Sequence, residues 1–304
     1  MLAIVGPTAS GKSALAVAVA RGLRARGTGA EVIGTDSMQV YAGMDIGTAT
    51  PTIDEQGGIR HHMLDVWPPD HAVTVAEFQA HARAVIDDVL HRGAVPIVVG
   101  GSGLYVSAVL DDLRFPGTDP AVRARFEADL EAVGAQALHA RLAEVDPAAA
   151  AEILPTNGRR IVRALEVIEI TGEPFTARLP DPVPVYQAVR VGLEVPRDVL
   201  DERIAERVDR MWEQGFVDEV RRLAAQGLAT TPTASRALGY LQVLSFLNGE
   251  CSEAQARQET IDATRRFARR QQRWFRRDRR IDWLPYDAPD LVVLVLARIR
   301  ALPE

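Results

Sequence analysis

Gly6-Pro-Thr-Ala-Ser-Gly-Lys-Ser13 is the stretch of sequence that decides the fold. It fits the P-loop pattern G-x-x-x-x-G-K-[ST], between the apolar run Leu2 to Val5 and the helix-forming run Ala14 to Ala20. Glycines let backbone N–H groups close around phosphate oxygens, and a helix N-terminus adds the positive end of its dipole. We therefore expect a strand, a phosphate-binding loop and a helix. The alternative, a chance glycine-rich turn, is disfavoured by the flanking runs.

Two residues of this phosphate loop stand out chemically. Lys12 is the only lysine beside 34 arginines, which suggests a site that needs a compact ammonium in place of a planar guanidinium. Ser13 offers a hydroxyl to Mg2+, the one cofactor we expect. The loop residues expected to bind phosphate are Gly6, Thr8, Ala9, Ser10, Gly11, Lys12 and Ser13.

The composition is that of a globular protein. The chain has 304 residues, 47% of them hydrophobic, and no apolar segment reaches the roughly 18 residues of a membrane span. It starts without a signal-peptide pattern, and its single cysteine, Cys251, excludes an internal disulfide and a thiolate zinc cluster. We expect a cytoplasmic monomer with no membrane partner.

Positive charge is concentrated near the C-terminus. The net charge is −6, yet segment 257–280 has ten arginines against three acids, so it carries +7 and the remainder −13. Such a basic stripe is typical of a polyanion site, the alternative being a solvated helical face. Aromatic residues are interleaved, as in nucleic-acid contacts. Because helical spacing puts Phe267, Gln271 and Trp274 on one face, these residues are also compatible with a core side.

Strands alternate with helices in the first part of the chain. Glu31 to Asp36 and the apolar Ala94 to Val99 predict strands, and Val75 to His91 predicts a helix. This order, starting from a phosphate loop, predicts a doubly wound α/β parallel sheet with ligands at the carboxyl ends of its strands. Asp36 to Gln39 and Gly100 to Tyr105 follow two such ends, so we expect them to converge on the phosphate loop.

A helical insertion interrupts this pattern around Phe115. Helices are predicted at 121–133, 135–144 and 159–169, followed by the proline-rich segment 174–184. A strand pattern returns at 188–193. We predict an α/β core, 1–116 and 185–304, with an inserted helical domain, 117–184. The C-terminal part of the core is predicted to be helical, at 199–227, 234–247 and 252–280.

The buried strand that ends at Val99 is followed by Gly100 and Gly101, with no carboxylate. ATP hydrolysis needs an acid there for the Mg2+ shell, so we expect the loop to hold the diphosphate of another substrate, which leaves as pyrophosphate. Asp36 is then the candidate general base for a nucleophile aimed at the diphosphate ester. A contact to the Mg2+ shell and a helix N-cap are the alternatives for Asp36.

Other polar residues are weaker candidates. Ser37, Gln39 and Ser102 offer hydrogen bonds, and a glutamine is able to read an adenine edge, although lone hydroxyls are more often structural. Arg236 is a candidate clamp for the departing diphosphate, with a surface ion pair as the alternative.

Two adjacent histidines raise the question of a metal site. His61 and His62 are followed by Asp65. Adjacent histidines do not easily share a metal, so a structural or substrate-loop role is favoured.

Taken together, several motifs in order resemble those of the tRNA dimethylallyltransferases, also called tRNA isopentenyltransferases. The motifs are Gly6 to Ser13, Asp36-Ser-Met-Gln-Val-Tyr41, Gly43-Met-Asp-Ile-Gly-Thr48, His61 to Asp65, Gly100 to Tyr105, Arg160-Ile-Val-Arg-Ala-Leu-Glu166, Gly239 to Gln242 and Thr264 to Arg276. The resemblance implies transfer of a dimethylallyl group from dimethylallyl diphosphate to N6 of the adenosine immediately 3′ of the tRNA anticodon, with release of diphosphate.

The resemblance also implies roles for individual residues. Asp36 would be the general base, Lys12 and Arg236 would hold the diphosphate, and Ser13 the Mg2+. The implied tRNA-binding residues are Asp36, Ser37, Met38, Gln39 and Ser102 in the core, Arg123, Arg159, Arg160 and Arg163 in the insertion, and Arg269, Arg270 and Arg273 in the basic helix.

The chain departs from the family pattern at three positions. Ser13 and Ser102 stand where threonine is usual, and Ala42 stands where a basic residue is common, which leaves one phosphate contact open. Three other functions are alternatives: an adenylate isopentenyltransferase acting on AMP, an ATP-dependent kinase or ATPase, and a non-catalytic RNA-binding module. The basic helix and the helical insertion argue against an enzyme that acts on a small nucleotide.

Overall fold

The computed structural model describes residues 1–175, 181–231 and 233–300, and of residue 300 it describes the backbone alone. The chain divides into two compact units, one of Met1–Leu110 with Pro184–Glu304 and one of Asp111–Val183. Residues 176–180 of the predicted insertion and of its proline-rich segment lie outside the described residues, as do 301–304 of the predicted core.

The first unit is built on one parallel sheet. Its strands are β1 (Leu2–Val5), β2 (Ala30–Gly34), β3 (His61–His62), β4 (Val95–Gly100), β5 (Val189–Glu194) and β6 (Ile281–Pro285). They are arranged in the order β3-β2-β4-β1-β5-β6, and every pairing is parallel. β1 lies in the interior of the sheet and is buried along its whole length, as a strand covered on both faces must be.

Helices cover both faces of the sheet. The first unit contains α1 (Lys12–Arg24), α2 (Ile53–Gln56), α3 (Val75–His91) and α4 (Gly103–Leu110) before the second unit, and α8 (Arg197–Glu213), α9 (Phe216–Ala225), α10 (Tyr240–Leu247), α11 (Glu253–Phe275) and α12 (Leu291–Arg300) after it. The second unit contains α5 (Pro120–Val145), α6 (Pro147–Glu152) and α7 (Gly158–Thr171). Leu2 and Ile4 belong to one apolar cluster and Ala3 and Val5 to the other. The predicted doubly wound α/β sheet is therefore confirmed.

Three predicted helices differ from the observed ones: two are broken by a glycine and one is shorter. Gly215, at φ 93°, separates α8 from α9 in a stretch predicted as one helix, and Gly239, at φ 86°, separates a 3-10 turn from α10. The left-handed region is open to glycine at no steric cost, so both glycines break the helical hydrogen-bond ladder. The basic helix ends at Phe275, before the predicted end at residue 280.

The predicted helical C-terminal part also contains a strand, β6, just after the predicted basic helix, which the sequence analysis did not identify. This strand pairs with β5, and burial within it is uneven, with Ile281 and Leu284 buried and Asp282 and Pro285 exposed. An edge strand of five residues has too few positions for a clear signal of period two. The helix α12 that follows packs on α1, where a Cβ at Gly22 would lie 2.9 Å from Cδ1 of Leu296.

The second unit is helical; α5 and α7 match the predicted runs, whereas α6 begins at the Asp146-Pro147 pair, which the sequence predicts only as a helix break. Gly134, at φ 80°, interrupts α5 between the predicted helices 121–133 and 135–144, and α7 covers the predicted 159–169. Asp146 caps α6 by accepting a hydrogen bond from the N–H of Ala149 at 2.9 Å. Buried apolar residues of the three helices form a separate core. None of the described helices is both long and apolar enough to cross a membrane.

Candidate active site

The phosphate loop joins β1 to α1 in a tightly wound conformation. Gly6, Ala9 and Gly11 have φ of 149°, 63° and 93°, and for the alanine this left-handed geometry is strained by about 1 kcal/mol or more. The helix α1 has no side-chain cap, and Ser13 in its first turn is exposed. The backbone N–H groups of that turn are therefore available to an anion.

The side chain of Lys12 lies over this loop. Its Nζ donates a hydrogen bond to the carbonyl oxygen of Pro7 at 3.1 Å. Burial lowers the pKa of Lys12 to about 8, Arg207 acts in the same direction, and the Asp36 carboxylate opposes them. Lys12, Arg207 and Asp36 thus lie within one electrostatic neighbourhood at the carboxyl end of the sheet, which is the convergence that the strand ends predict.

Arg207 is a residue of this site that the sequence analysis missed. It lies in α8, and its Nη1 donates a hydrogen bond to Oγ1 of Thr8 at 3.2 Å. Burial lowers the pKa of Arg207, as does Arg210, while Glu55 and Asp36 act against the shift. In the sequence it stands among alternating charges, a pattern that indicates only a solvated helix surface.

Asp36 lies two residues after the end of β2. Its Oδ1 accepts a hydrogen bond from the N–H of Met38 at 2.9 Å, and its Oδ2 accepts none from the described residues. No helix begins after Asp36, so the N-cap alternative does not apply. Thr35 fixes the strand end, because its N–H and its hydroxyl both donate to the carbonyl oxygen of Val99, at 2.8 and 3.1 Å.

Gln39 lies in the loop after Asp36 and is already anchored. Its Nε2 donates to the carbonyl oxygens of Thr48 and Ala49, both at 3.1 Å, so only the amide oxygen is left for a ligand. Ser37 and Ser102 are partly buried, and their hydroxyls make no hydrogen bond within the described part of the chain.

A buried carboxylate holds the far side of the same loop. Glu219, in the first turn of α9, accepts hydrogen bonds from the N–H groups of Asp45, Ile46 and Gly47, at 2.8 to 3.1 Å, and from the hydroxyl of Tyr240 at 2.6 Å. Burial and the Glu219 carboxylate raise the pKa of Tyr240 far above its usual range. The sequence motif at 43–48 therefore needs a partner that lies about 170 residues away, and Glu219 carries no local signal of that role.

The glycine-rich turn after β4 is shaped by contact with α11. A Cβ at Gly101 would lie 2.5 Å from Nε2 of Gln271, and a Cβ at Gly103 would lie 2.2 Å from the ring of Trp274. Only glycine allows this approach. Tyr105 is also partly buried here, and burial, with smaller effects of Tyr41 and Asp36, raises the pKa of its hydroxyl to about 12.

The helix α11 has two unlike faces. Gln271 and Phe275 are buried at 5% and 3% exposure, so the core-side interpretation holds for part of the aromatic run. The rest of the helix surface carries four arginines, and a fifth lies two residues past the helix end; we call these five the arginine face: Arg266, Arg269, Arg270, Arg273 and Arg277. Arg270 lies 5.6 Å from the ring centroid of Phe267, and the other four side chains have no hydrogen bond or ion pair among the described residues.

The arginines predicted in the insertion fall into two groups. Arg123 and Arg163 both bind Oε2 of Glu166, at 2.7 and 2.9 Å, and this carboxylate is fully buried. Burial alone acts to raise the pKa of Glu166, but the two arginines outweigh it and the pKa is lowered. Arg159 and Arg160 are exposed in the first turn of α7.

Two further candidates from the sequence, Arg236 and the histidine pair, make no hydrogen bond to the phosphate loop among the described residues. The Arg236 side chain is exposed and has no hydrogen bond or ion pair within residues 1–175, 181–231 and 233–300. The Nε2 of His62 binds Glu31 at 2.6 Å, and the Nδ1 of His61 binds the carbonyl oxygen of Ile59 at 2.9 Å. The favoured structural role of the histidine pair fits these contacts.

A doubly wound parallel sheet, an uncapped phosphate loop and a strand-end carboxylate beside its cations define a P-loop α/β protein. Residues 39–278 match the family model described as IPP transferase. A tRNA dimethylallyltransferase of Thermobifida fusca is 65% identical over 96% of this chain and 92% of its own length, and one of Salinispora arenicola is 61% identical over 99% and 86%. The chain belongs to this family of tRNA dimethylallyltransferases and is an enzyme of the prenyltransferase class.

Solved structures agree with this assignment. A tRNA isopentenylpyrophosphate transferase from Bacillus halodurans has 38% identity and a TM-score of 0.72, covering 98% of this chain and 96% of its own. One from Staphylococcus epidermidis has 34% identity and the same TM-score, with 99% coverage of both chains. A eukaryotic dimethylallyltransferase shares the fold at 23% identity and a TM-score of 0.74, over 94% of this chain and 73% of its own.

Proposed function

We propose that this enzyme transfers the dimethylallyl group of dimethylallyl diphosphate to N6 of the adenosine immediately 3′ of the anticodon in tRNA, releasing diphosphate. The observation that carries the proposal is the Asp36 carboxylate in the field of both cations at the phosphate loop, Lys12 and Arg207. Prenyl transfer to an amine needs this pairing, because a proton leaves the nucleophile while a diphosphate leaves carbon.

The phosphate loop is suited to hold the diphosphate. The first turn of α1 has no side-chain cap on its N–H groups, and Lys12 has only a neutral carbonyl oxygen to exchange for a phosphate oxygen. Arg207 keeps its Nε and Nη2 donors without partners in the described structure while Nη1 holds Thr8. Ammonium, guanidinium and backbone donors together stabilise the charge that develops on the leaving group.

The residues present also fit Mg2+ carried with the diphosphate. Mg2+ usually takes one or two protein oxygens and completes its octahedron with phosphate oxygens and water. The hydroxyl of Ser13 is exposed next to Lys12, and no cluster of three or more His, Cys, Asp or Glu occurs among the described residues. Ser13 would hold the ion, which would supply further neutralisation of phosphate charge.

Asp36 takes the part of general base. As the bond from N6 to C1 of the dimethylallyl group forms, the bond from C1 to the diphosphate oxygen breaks and its electron pair leaves with diphosphate. The proton of N6 passes to Oδ2 of Asp36, while Met38 holds Oδ1. The amide oxygen of Gln39 and the hydroxyls of Ser37 and Ser102 would bind the adenine edge.

The RNA substrate is supported by the arginine face and by the names of the relatives. Four guanidinium groups without partners among the described residues, three on α11 and one just past its end, suit a phosphate backbone. Proteins read RNA mostly at unstacked loop bases, and a base that undergoes chemistry is turned out of its stack. Arg159 and Arg160 on the second unit would contribute phosphate contacts.

A labelling experiment tests this function. Purified protein, Mg2+ and labelled dimethylallyl diphosphate are incubated with an unmodified anticodon stem-loop, with the same RNA carrying inosine at the target position, or with AMP. We expect label in the first RNA alone, because inosine lacks the N6 amino group. Label in AMP would favour an adenylate isopentenyltransferase, and label in the inosine RNA would refute N6 as the acceptor.

A further inference from the structure

The peptide bond between Pro7 and Thr8 is held at both of its polar atoms. Its carbonyl oxygen accepts the hydrogen bond from Lys12 at 3.1 Å, and its N–H donates to Oε1 of Gln271 at 2.8 Å. A peptide unit is planar, so its C=O and N–H turn together. Gln271 therefore sets the direction of the carbonyl group that holds the ammonium of Lys12.

Gln271 is firmly placed by its own surroundings. It is 5% exposed, and its Nε2 is so close to the turn after β4 that a Cβ on Gly101 would lie 2.5 Å away. One turn earlier in α11, Ala268 belongs to the same apolar cluster as Ala9 of the phosphate loop. Thus α11 packs against the loop through two residues one turn apart, the apolar Ala268 and the polar Gln271.

The arginine face lies on the other side of this helix. At about 100° per residue, Arg266 and Arg273 point roughly opposite to Ala268 and Gln271, and Arg270 lies on the flank between them. The helix α11 is continuous over 23 residues, so one hydrogen-bonded backbone joins the arginine positions to Gln271. A force on the arginine face is therefore transmitted to the Gln271 side chain and from there to the Pro7–Thr8 peptide.

We propose that Gln271 is a positioning residue that couples RNA binding on the arginine face to diphosphate binding in the phosphate loop. The inference rests on the proposed function in taking the arginine face as the RNA-binding surface. RNA that moves α11 alters the hydrogen bond from Thr8 to Gln271, turns the peptide, and frees Lys12 from Pro7 to bind phosphate. Each ligand then raises the affinity for the other by the same factor.

The coupling is measured with inorganic pyrophosphate and Mg2+ by calorimetry, with and without saturating unmodified anticodon stem-loop. For the wild type we expect the RNA to tighten pyrophosphate binding about fivefold or more. Gln271→Met keeps the side-chain length and removes the acceptor, so the ratio should fall to within about twofold of one. Gln272→Met is the matched control, because Gln272 is only partly buried and has no side-chain hydrogen bond among the described residues, and it should keep the wild-type ratio.

Two more variants protect the test against a folding defect. Gln271→Glu keeps the Oε1 acceptor and should keep the ratio, although its charge weakens pyrophosphate binding overall. If Gln271→Met does not fold, Gly101→Ala replaces it, because the added Cβ displaces the amide and should remove the coupling. The proposal is overturned if RNA tightens pyrophosphate binding in Gln271→Met or Gly101→Ala as much as in the wild type. It is also overturned if RNA no longer tightens this binding in Gln271→Glu, or if bound RNA does not tighten it in the wild type. A stem-loop that does not bind the wild type overturns the proposed function instead.

Discussion

The guanidinium group of Arg207 donates a hydrogen bond to the hydroxyl of Thr8 at 3.2 Å, which ties α8 to the phosphate loop. Lys12 donates to the carbonyl oxygen of Pro7 in the same loop, so the two cations bind adjacent residues, Pro7 and Thr8. Arg236, the arginine that the sequence suggests as the diphosphate clamp, makes no hydrogen bond to this loop among the described residues. The geometry therefore favours Arg207 as the arginine beside the leaving group.

Replacing Arg207 should damage catalysis far more than replacing its neighbour. We expect Arg207→Ala to lower kcat/KM for dimethylallyl diphosphate about 10- to 100-fold, since a hydrogen bond to a charged group contributes about 1.5–3 kcal/mol. Arg210→Ala, one turn away and exposed, should change it by less than about twofold. Steady-state kinetics on the stem-loop decide the matter, and an Arg207→Ala enzyme as active as Arg210→Ala would remove Arg207 from the mechanism.

Asp36→Asn separates proton transfer from binding. The amide is the same size and keeps an oxygen to accept from the N–H of Met38, but it does not accept a proton. We expect kcat to fall about 10²- to 10⁴-fold with the Kd for the stem-loop within about twofold of the wild type. Single-turnover labelling and filter binding measure the two quantities. Full turnover in this variant would reject Asp36 as the base, and a large loss of RNA affinity would indicate a binding role.

The sequence predicts well what depends on neighbouring residues. The P-loop pattern and its flanking runs place β1, the loop and α1. The predicted helix 75–91 matches α3 at both ends, and at its N-terminal end Thr74 and Glu77 form a local capping box. The strand-end rule brings Asp36 to the phosphate loop because it is a property of all parallel sheets.

What the sequence does not reveal depends on contacts between distant segments. Arg207, Glu219 and Gln271 each bind backbone or side-chain groups more than 170 residues away, and nothing next to them in sequence marks the partner. The arginine signal misleads in the same way, since Arg163 looks like Arg159 until the buried carboxylate of Glu166 is seen beside it.

The lowered pKa of Lys12 predicts proton uptake when diphosphate binds. Its pKa is about 8 in the free loop, and a bound diphosphate favours the ammonium form and raises it. Near pH 9, pyrophosphate binding should therefore take up as much as about one proton at Lys12, while at about pH 6.5 the ammonium is already formed and uptake vanishes. Affinity should fall as the pH rises above about 8.

Calorimetry in buffers of different ionisation enthalpy measures this uptake. Lys12→Arg is the control, because arginine stays charged throughout this range and leaves only the titration of pyrophosphate itself. The number of protons taken up by the wild type should exceed that taken up by Lys12→Arg near pH 9, and the two numbers should be nearly equal near pH 6.5. Equal uptake in both proteins at pH 9 would contradict a lowered pKa at Lys12.

Glu219→Gln should destabilise the first unit. The carboxylate accepts four hydrogen bonds at 6% exposure, and an amide would present an N–H pair to two of those donors. Leaving buried donors unsatisfied costs about 1–3 kcal/mol each, so we expect a loss of about 2–4 kcal/mol in the free energy of unfolding. Urea denaturation measures it. Asp218→Asn, on the exposed neighbour, should stay within about 0.5 kcal/mol of the wild type, and equal losses in both variants would contradict the role of Glu219.

The last prediction separates a structural arginine from an RNA-binding one in the second unit. Arg163 binds the buried Glu166 at 2.9 Å and the carbonyl oxygen of Pro116 at 2.7 Å, so Arg163→Ala should lower the free energy of unfolding by about 3 kcal/mol. Arg159 is exposed and has no side-chain partner in the described chain, so Arg159→Ala should leave stability unchanged.

Arg159→Ala should act on RNA instead. Loss of one phosphate contact is expected to weaken stem-loop binding about 3- to 10-fold and to reduce the slope of log K against log salt by about one. Fluorescence anisotropy between about 50 and 200 mM salt gives the slope, and urea denaturation of the same samples gives the stability. Arg159 and Arg163 would exchange these roles if Arg159→Ala unfolded early and Arg163→Ala altered only the salt slope. The Glu166 carboxylate argues against that exchange, because without Arg163 a fully buried charge would keep only Arg123 as its ionic partner.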